Sequence, residues 1–390
     1  MSPGTVSTSE HPAGGRRVSR RRRILQALVS LLVVVAVFVG VLPRIADLSE
    51  VWGAIGDMTW LEVATLVLVA VWNLATYSFV QMCALPGLRV PQATVAVQSS
   101  TAIANVVPGG AALGLGVTYA IYASWGFPPA AVTLSLLVSG VWNNFAKVGL
   151  PVVALALLAV QGRARASLVV ASLAGVVMLV GAVTAFGLML RSEALARRVG
   201  SGLEQVVSRL ARLVGRHPLT GWEEAAVRFR AQTIGLLRGR AAALTAITLM
   251  SHLSLYVVLL VALRHVGVAE DDVSWAEVLG AFAFVRLLSA LPVTPGGLGV
   301  VELGLVAALS LAGSDRELVV AGVLVYRALT YVLQVPVGAV AYVVWRRKAS
   351  WRRPGAVATA GAGPASGEAG RRGRSGAVAG SAGQPPPPPS

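Results

Sequence analysis

Cysteine occurs once in the 390 residues, at Cys83. One thiol excludes an internal disulfide framework and a cysteine-rich metal site. Cys83 sits in an apolar run and reads as a small packing residue. Charge is scarce as well, at 13% of residues. Lysine is almost missing: of 33 basic residues only Lys147 and Lys348 are not arginine. The four histidines (His11, His217, His252, His265) are scattered, and His252 alone lies in an apolar run. There is no Walker-type loop, no G-x-S-x-G and no H-E-x-x-H. The expectation is therefore no metal, no cofactor, no catalytic residue and no ATP site. Transport, if that is the activity, would run down a gradient or be coupled to an ion.

What the chain has in excess is hydrophobicity. It is 55% hydrophobic, with a mean hydropathy of +0.72. These values describe a polytopic membrane protein rather than a soluble domain. The net charge of +16 lies mostly in tails and loops, where the positive-inside rule accounts for it. The basic clusters lack interleaved aromatics, which argues against nucleic acid as a partner.

Residues 1–23 form a basic tail, expected in the cytoplasm, and an uncleaved apolar span follows at 24–42. Further spans are expected at about 60–82, 129–160, 167–190, 241–264 and 317–345. Capping boxes at Thr59-Trp-Leu-Glu62 and Ser274-Trp-Ala-Glu277 mark helix starts, as do Thr220-Gly-Trp-Glu223 and Ser314-Asp-Arg-Glu317. Residues 191–240 hold ten Arg and four Glu, with Leu195, Val199, Leu203, Val206, Leu210 and Val214 at helical spacing. They read as two amphipathic helices on the cytoplasmic surface, or as a solvated connector. The membrane domain is placed at 24–348. Residues 349–390 are Gly/Ala/Ser-rich, end in five prolines and are expected to be a disordered tail.

Two breaks interrupt the apolar pattern. One is Asn105-Val-Val-Pro108-Gly109-Gly110; the other is Pro295-Gly296-Gly297-Leu-Gly299. Neither fits inside a continuous helix. At membrane depth a break must be lined by protein or a polar cavity, because lipid cannot satisfy freed N–H groups. The segments 91–107 and 110–125 span only about 25 Å each as helix, short of a ~30 Å hydrocarbon core. They are expected to form a re-entrant hairpin. Registering Pro108-Gly-Gly on Pro295-Gly-Gly brings Gly126 onto Gly313 and the long span 129–160 onto 317–345. Counting crossings from a cytoplasmic N-terminus makes the two units inverted, as in transporters, and returns the C-terminus to the cytoplasm. Arg163 and Arg165 then fall outside, against the charge rule. The expected fold is all-α: a polytopic membrane protein of about six full spans plus two broken or re-entrant hairpins, in inverted repeats.

Four ionisable residues lie inside apolar runs: Lys147, Arg286, Glu302 and Arg327. Each costs roughly 2.5–3.5 kcal/mol near the bilayer centre unless it has a partner or a wet cavity. Glu302, in the first turns after the second break, suits the helix dipole and is a partner for Arg327 or Arg286. The remaining positive charge, with the two helix N-termini, would suit a phosphate. Asn105, Asn143 and Asn144 add neutral donors. Each basic residue has a plainer alternative as a structural ion pair or a snorkelling side chain. Gly110 and Gly114 can equally be helix-packing positions.

Pro295-Gly-Gly-Leu-Gly-Val-Val-Glu302, Gly313 and Tyr326-Arg327 together resemble the membrane domain of lysyl-phosphatidylglycerol synthases, the multiple peptide resistance factor family. Asn105-Val-Val-Pro-Gly-Gly110 and Asn143-Asn144-Phe-Ala-Lys147 look like its first-half counterparts. The resemblance covers roughly residues 24–345. It implies a lipid flippase-like domain in a bacterial plasma membrane, with membrane lipids as partners and envelope-synthesis enzymes as further candidates. In that family a separate soluble domain makes the lipid. These residues hold no counterpart of it, so the resemblance implies translocation rather than aminoacyl transfer. Leu115 stands where an acid matching Glu302 would fall, so the halves are not chemically equivalent. The substrate contacts expected on these grounds are Asn105, Pro108, Gly109, Gly110, Asn143, Lys147, Arg286, Pro295, Gly296, Gly297, Glu302 and Arg327. Two rivals remain open. One is a polyisoprenyl-phosphate-dependent glycosyltransferase using Glu270, Asp271 and Asp272. The other is a non-transporting scaffold of envelope synthesis.

Overall fold

A computed structural model describes residues 48–106, 110–161, 166–213, 220–289 and 295–351. The expected first span, the N-terminal tail, the C-terminal tail beyond 351, Pro108, Gly109, Arg163 and Arg165 lie outside the described residues; the start of that tail, Ala349–Trp351, forms a 3₁₀ turn with Trp351 against Trp125. Among those described, every regular element is helical. In order they are α1 Leu48–Gly56, α2 Trp60–Ala84, α3 Val90–Val106, α4 Gly110–Ser124, α5 Pro129–Val160, α6 Ala166–Arg191, α7 Glu193–Leu213, α8 Trp222–Leu237, α9 Ala241–His265, α10 Trp275–Leu288, α11 Val300–Ala312, α12 Arg316–Arg327 and α13 Gln334–Arg347. A short π segment, Ala328–Val332, joins the last two.

Five stretches are long and apolar enough to cross a membrane: α2, α5, the described part of α6, α9, and the run from Arg316 to Arg347. They match the five later spans expected from hydropathy. Two of the capping boxes start their helices as read. Thr59 N–H donates to the Glu62 carboxylate at 2.7 Å, and Ser274 N–H to Glu277 at 2.9 Å. The other two boxes do not form. Asp315, not Ser314, caps α12 by accepting from the N–H of Glu317 and Leu318. A carboxylate one residue nearer the helix outcompetes a hydroxyl for the orphan donors. Before α8 the N-cap is Gly221, not Thr220, and the Trp222 N–H is satisfied by Glu204 of α7 at 3.2 Å.

Around each break sits a pair of short helices, α3 with α4 and α10 with α11. They have 17, 15, 14 and 13 residues, each about 20–25 Å at the helical rise and so short of a full crossing. Both pairs pack on themselves as hairpins. With α2–α5, around the first break, taken as a first unit and α9–α13, around the second, as a second, the packing between them is reciprocal. α3 lies along α13 of the second unit, α10 lies along α5 of the first, and α2 packs on α9. The largest buried cluster joins α9, α10, α11 and α12 with the ends of α2 and α5. α6 stands at the periphery, with no buried residue in its apolar window.

α7 and α8 occupy the expected amphipathic stretch. Gly200 faces α8 and Ala196 is buried, while Val199, Leu203, Val206 and Leu210 are exposed. The hairpin depends on Gly200: a Cβ there would fall 2.6 Å from the Trp222 carbonyl oxygen and 2.8 Å from the Glu223 Cα. Gly200→Val should therefore part the two helices. The expected result is faster amide exchange across residues 193–237, with exchange in α9 to α12 unchanged.

Candidate functional site

The second break is built from its glycines. α10 stops at Leu288, one 3₁₀ turn covers Pro295–Gly297, and α11 starts at Val300. Gly296, Gly297 and Gly299 have φ of 62°, 69° and 81°, a region in which a Cβ clashes with the backbone. Gly296 is also pressed against Tyr331, with an added Cβ 2.1 Å from the ring.

Glu302 locks this turn from behind. It is 2% exposed. One carboxylate oxygen accepts the Gly299 N–H at 2.7 Å and the other accepts Nε of Arg327 at 2.7 Å. Arg327 also donates from Nη2 to the Gly296 carbonyl at 3.3 Å and stacks over the Tyr331 ring at 4.6 Å. Of the two partners open to Glu302, the fold selects Arg327. This corrects the expectation that the α11 N-terminus faces a phosphate. The protein's own carboxylate already occupies that positive end, where the dipole favours it. Glu302 is behind the cavity wall rather than on it.

The first break is tied to the same place. Asn105, in the last turn of α3, accepts the Tyr331 hydroxyl on its backbone carbonyl at 2.9 Å. Its side-chain amide donates to Gln334 at 3.2 Å. Tyr331 belongs to the π segment, where Leu333 N–H bonds back five residues to Ala328. The wider turn brings Thr330, Tyr331 and Gln334 onto one wall. Tyr331 thus touches both breaks. Gly110 is a packing position and not a contact: a Cβ would meet the Ala104 carbonyl oxygen at 2.4 Å. For Pro295 only the backbone, in the 3₁₀ turn, is described.

Between the units lies a cavity of about 540 Å³. Its walls come from the middle of α5 (Ser139, Asn143, Lys147), from Tyr77 and Gln81 of α2, and from Thr101 and Asn105 of α3. Arg286 and Ser289 at the tip of α10, Gly296 and Gly297 at the break, and the π segment complete it. Of the sequence-predicted contacts, Asn105, Asn143, Lys147, Arg286, Gly296, Gly297 and Arg327 line it. Asn144, one residue on along α5, points away and is exposed. His252 of α9 bonds Asn143 at 3.0 Å, and Gln81 donates to Ser139 at 3.4 Å. The sequence reading missed Tyr331, Gln334, Gln81 and Ser139. The signal was present in Gln81 and Gln334, amides inside otherwise apolar spans.

Charge on this wall is one-sided. Among the described residues it carries Lys147, Arg286 and Arg327 and no carboxylate. Arg327 is neutralised by Glu302. Among the described residues, neither Lys147 nor Arg286 has a carboxylate within ion-pair distance, and Nε of Arg286 is buried with no hydrogen-bond partner. The two cations are close enough to act on each other's charge. An apolar groove of about 690 Å³ between α2 and α9 is lined by Leu68, Trp72, Leu249 and Leu253 and bears no charge. At the loop before α10, Glu270 is held by Arg264 and by the Trp275 N–H at 2.9 Å, which makes it a cap. Asp271 and Asp272 are exposed beside it.

Residues 24–338 match the model of a protein family described as lysylphosphatidylglycerol synthase TM region. No curated protein matches the chain. The match runs through both breaks, the π segment and every charged residue of the cavity.

Proposed function

The chain belongs to the lysylphosphatidylglycerol synthase TM region family, and from that premise we propose that it moves an anionic phospholipid or lipid-linked headgroup across a bacterial plasma membrane. The headgroup passes through the cavity between the two units while the acyl or prenyl tails stay in lipid. The units are inverted relative to each other, and both termini face the cytoplasm. The protein is a transporter and not an enzyme, and its partners are membrane lipids.

The observation that carries this reading is the pair of cations, Lys147 and Arg286, facing a cavity with no carboxylate on its wall. Each comes from a different unit. An uncompensated charge deep in a membrane protein is costly and marks a ligand path by default. The depth follows from the elements. Lys147 is near the middle of the 32-residue α5, and Arg286 is at the inner tip of a hairpin too short to cross. The family's name points to lysylphosphatidylglycerol. That headgroup sets two ammonium groups against one phosphate, which a wall of unpaired cations disfavours. An anionic headgroup fits the charge better.

The test uses vesicles carrying the full chain and phospholipids with a labelled acyl chain, with leaflet exchange read by quenching. Arg286→Gln and Lys147→Gln should each slow exchange at least about tenfold, equivalent to ~1.4 kcal/mol of barrier. Thermal midpoints should stay level, because neither residue is in an ion pair. Exchange at the wild-type rate in both variants would remove the cavity from the path.

A further inference from the structure

Resting on that reading, we propose that the headgroup accepted by the cavity is a dianionic phosphate. The class is a phosphomonoester or diphosphate end-group, in preference to the singly charged phosphodiester of ordinary phospholipids.

Glu302 and Arg327 cancel, one to one, inside the protein at 2.7 Å. Lys147 on α5 and Arg286 on α10 remain, and they face the same cavity from opposite units. They repel each other across it while it holds no anion. A phosphodiester brings one negative charge, so one cation stays unmatched at membrane depth. A dianion matches both and converts their repulsion into a bridge. The donor types agree. Lys147 offers a point charge with three N–H groups, and Arg286 offers a planar fork of N–H donors. A terminal phosphate has three equivalent oxygens to share among them, whereas a diester has two. A neutral donor stands beside the cations to take a remaining lone pair, namely the NH2 group of the Asn143 amide, whose oxygen meets His252.

The glutamate–arginine pair also explains why the count is two rather than three. Without Glu302 the Arg327 guanidinium would be a third unmatched cation on the wall. The glutamate's position as the cap on Gly299 keeps it off the wall. The ion pair at the break thus leaves the cavity with two unmatched cations.

The experiment compares lipids that differ only at the phosphate. The full chain is placed in zwitterionic nanodiscs, and binding is measured for phosphatidic acid, a phosphomonoester, and for phosphatidylglycerol, a phosphodiester. Inorganic pyrophosphate is titrated in a separate arm. Phosphatidic acid should bind at least about tenfold tighter than phosphatidylglycerol, a difference of ~1.4 kcal/mol. Lys147→Gln should cut that preference below about threefold, and Lys147→Arg should keep it. The preference should also grow with pH as the monoester takes its second charge near a pKa of about 6. The phosphodiester, whose own charge is fixed over this range, is measured on the same protein to report any change at Lys147, His252, Tyr326 or Tyr331 around the cavity. Equal affinity for the two lipids, or a preference flat with pH, would overturn the proposal. Tight pyrophosphate binding without phosphatidic acid binding would uphold the charge assignment and move it to a soluble ligand. The transport reading fails separately: binding with the stated preference but no leaflet exchange removes translocation and leaves the dianion site standing. Exchange of both lipids at one rate with equal affinity does the reverse.

Discussion

Arg327→Ala should destabilise the protein by about 3–5 kcal/mol, the range for stripping one partner from a buried ion pair. Glu302 would be left without its charge partner, 2% exposed, with the Gly299 N–H as its remaining donor among the described residues. The guanidinium does three jobs at once: it pairs with Glu302, holds the Gly296 carbonyl and stacks on Tyr331. Arg327→Lys should fall between wild type and alanine, because an ammonium cannot reproduce the planar fork. The measurement is the thermal midpoint of the purified protein in detergent, together with the monodisperse fraction. The informative variant is the double one, Glu302→Gln with Arg327→Met. It removes both charges and keeps an amide oxygen to accept the Gly299 N–H, so most of the lost stability should return. It also leaves the cavity's unmatched charge at two cations, so leaflet exchange should persist. If the double variant folds well but exchanges no lipid, the pair handles the headgroup directly and is not a brace. Wild-type stability in Arg327→Ala would refute the pairing itself.

Gly338→Val should be the second severe lesion, at a position with no charge and no part in the cavity wall. Gly338 lies inside α13, where glycine costs about 1 kcal/mol relative to alanine. Its place there is explained by α3. A Cβ would fall 2.3 Å from the Gln98 carbonyl oxygen and 2.3 Å from the Ala102 Cβ. The obstruction is backbone as well as side chain, so the helices must move apart rather than repack. Overpacking of this kind costs about 1–3 kcal/mol and more where backbone resists. One turn before Gly338 is Gln334, bonded to Asn105 at 3.2 Å, and then Tyr331, bonded to the Asn105 carbonyl at 2.9 Å. Parting α3 from α13 should break both ties between the first break and the second unit. The expected result is a lower thermal midpoint and leaflet exchange slowed at least about tenfold, ~1.4 kcal/mol in barrier terms. Ala102→Gly should partly rescue Gly338→Ala, since it removes one of the two contacts and leaves the Gln98 oxygen. Full stability in Gly338→Val would mean that the α3–α13 contact is looser than drawn.

The two variants separate ways in which the cavity is held. One acts by charge inside a single unit, the other by close approach between units. Neither touches Lys147 or Arg286. Transport lost through them should therefore be accompanied by lost stability, while transport lost through the cavity cations should not.

Much of this architecture is local and so was readable in the amino-acid order. Long apolar runs specify membrane-spanning helices because no other backbone state satisfies its own polar groups in lipid. Proline and glycine mark the breaks because a helix cannot absorb them. Thr59 with Glu62, and Ser274 with Glu277, announce helix starts by a hydrogen-bond exchange confined to four residues. Two similar tetrapeptides failed, since a nearer aspartate and a glutamate from another helix supplied better acceptors. What the chain order left open is every choice made across distance. Glu302 had two arginines within plausible reach, and only the packing of α11 on α12 placed Arg327 against it and left Arg286 free. Asn143 and Asn144 are chemically alike, and the rotation of α5 against α9 decided which one meets His252. Tyr331 carries no sequence mark at all, yet it joins two breaks far apart in the chain, because a π turn rotates it toward both. Membrane span, break and cap are properties of neighbouring residues. The sign and size of the cavity's charge depend on which side chains fold back on their own backbone, and that is settled only when the helices close.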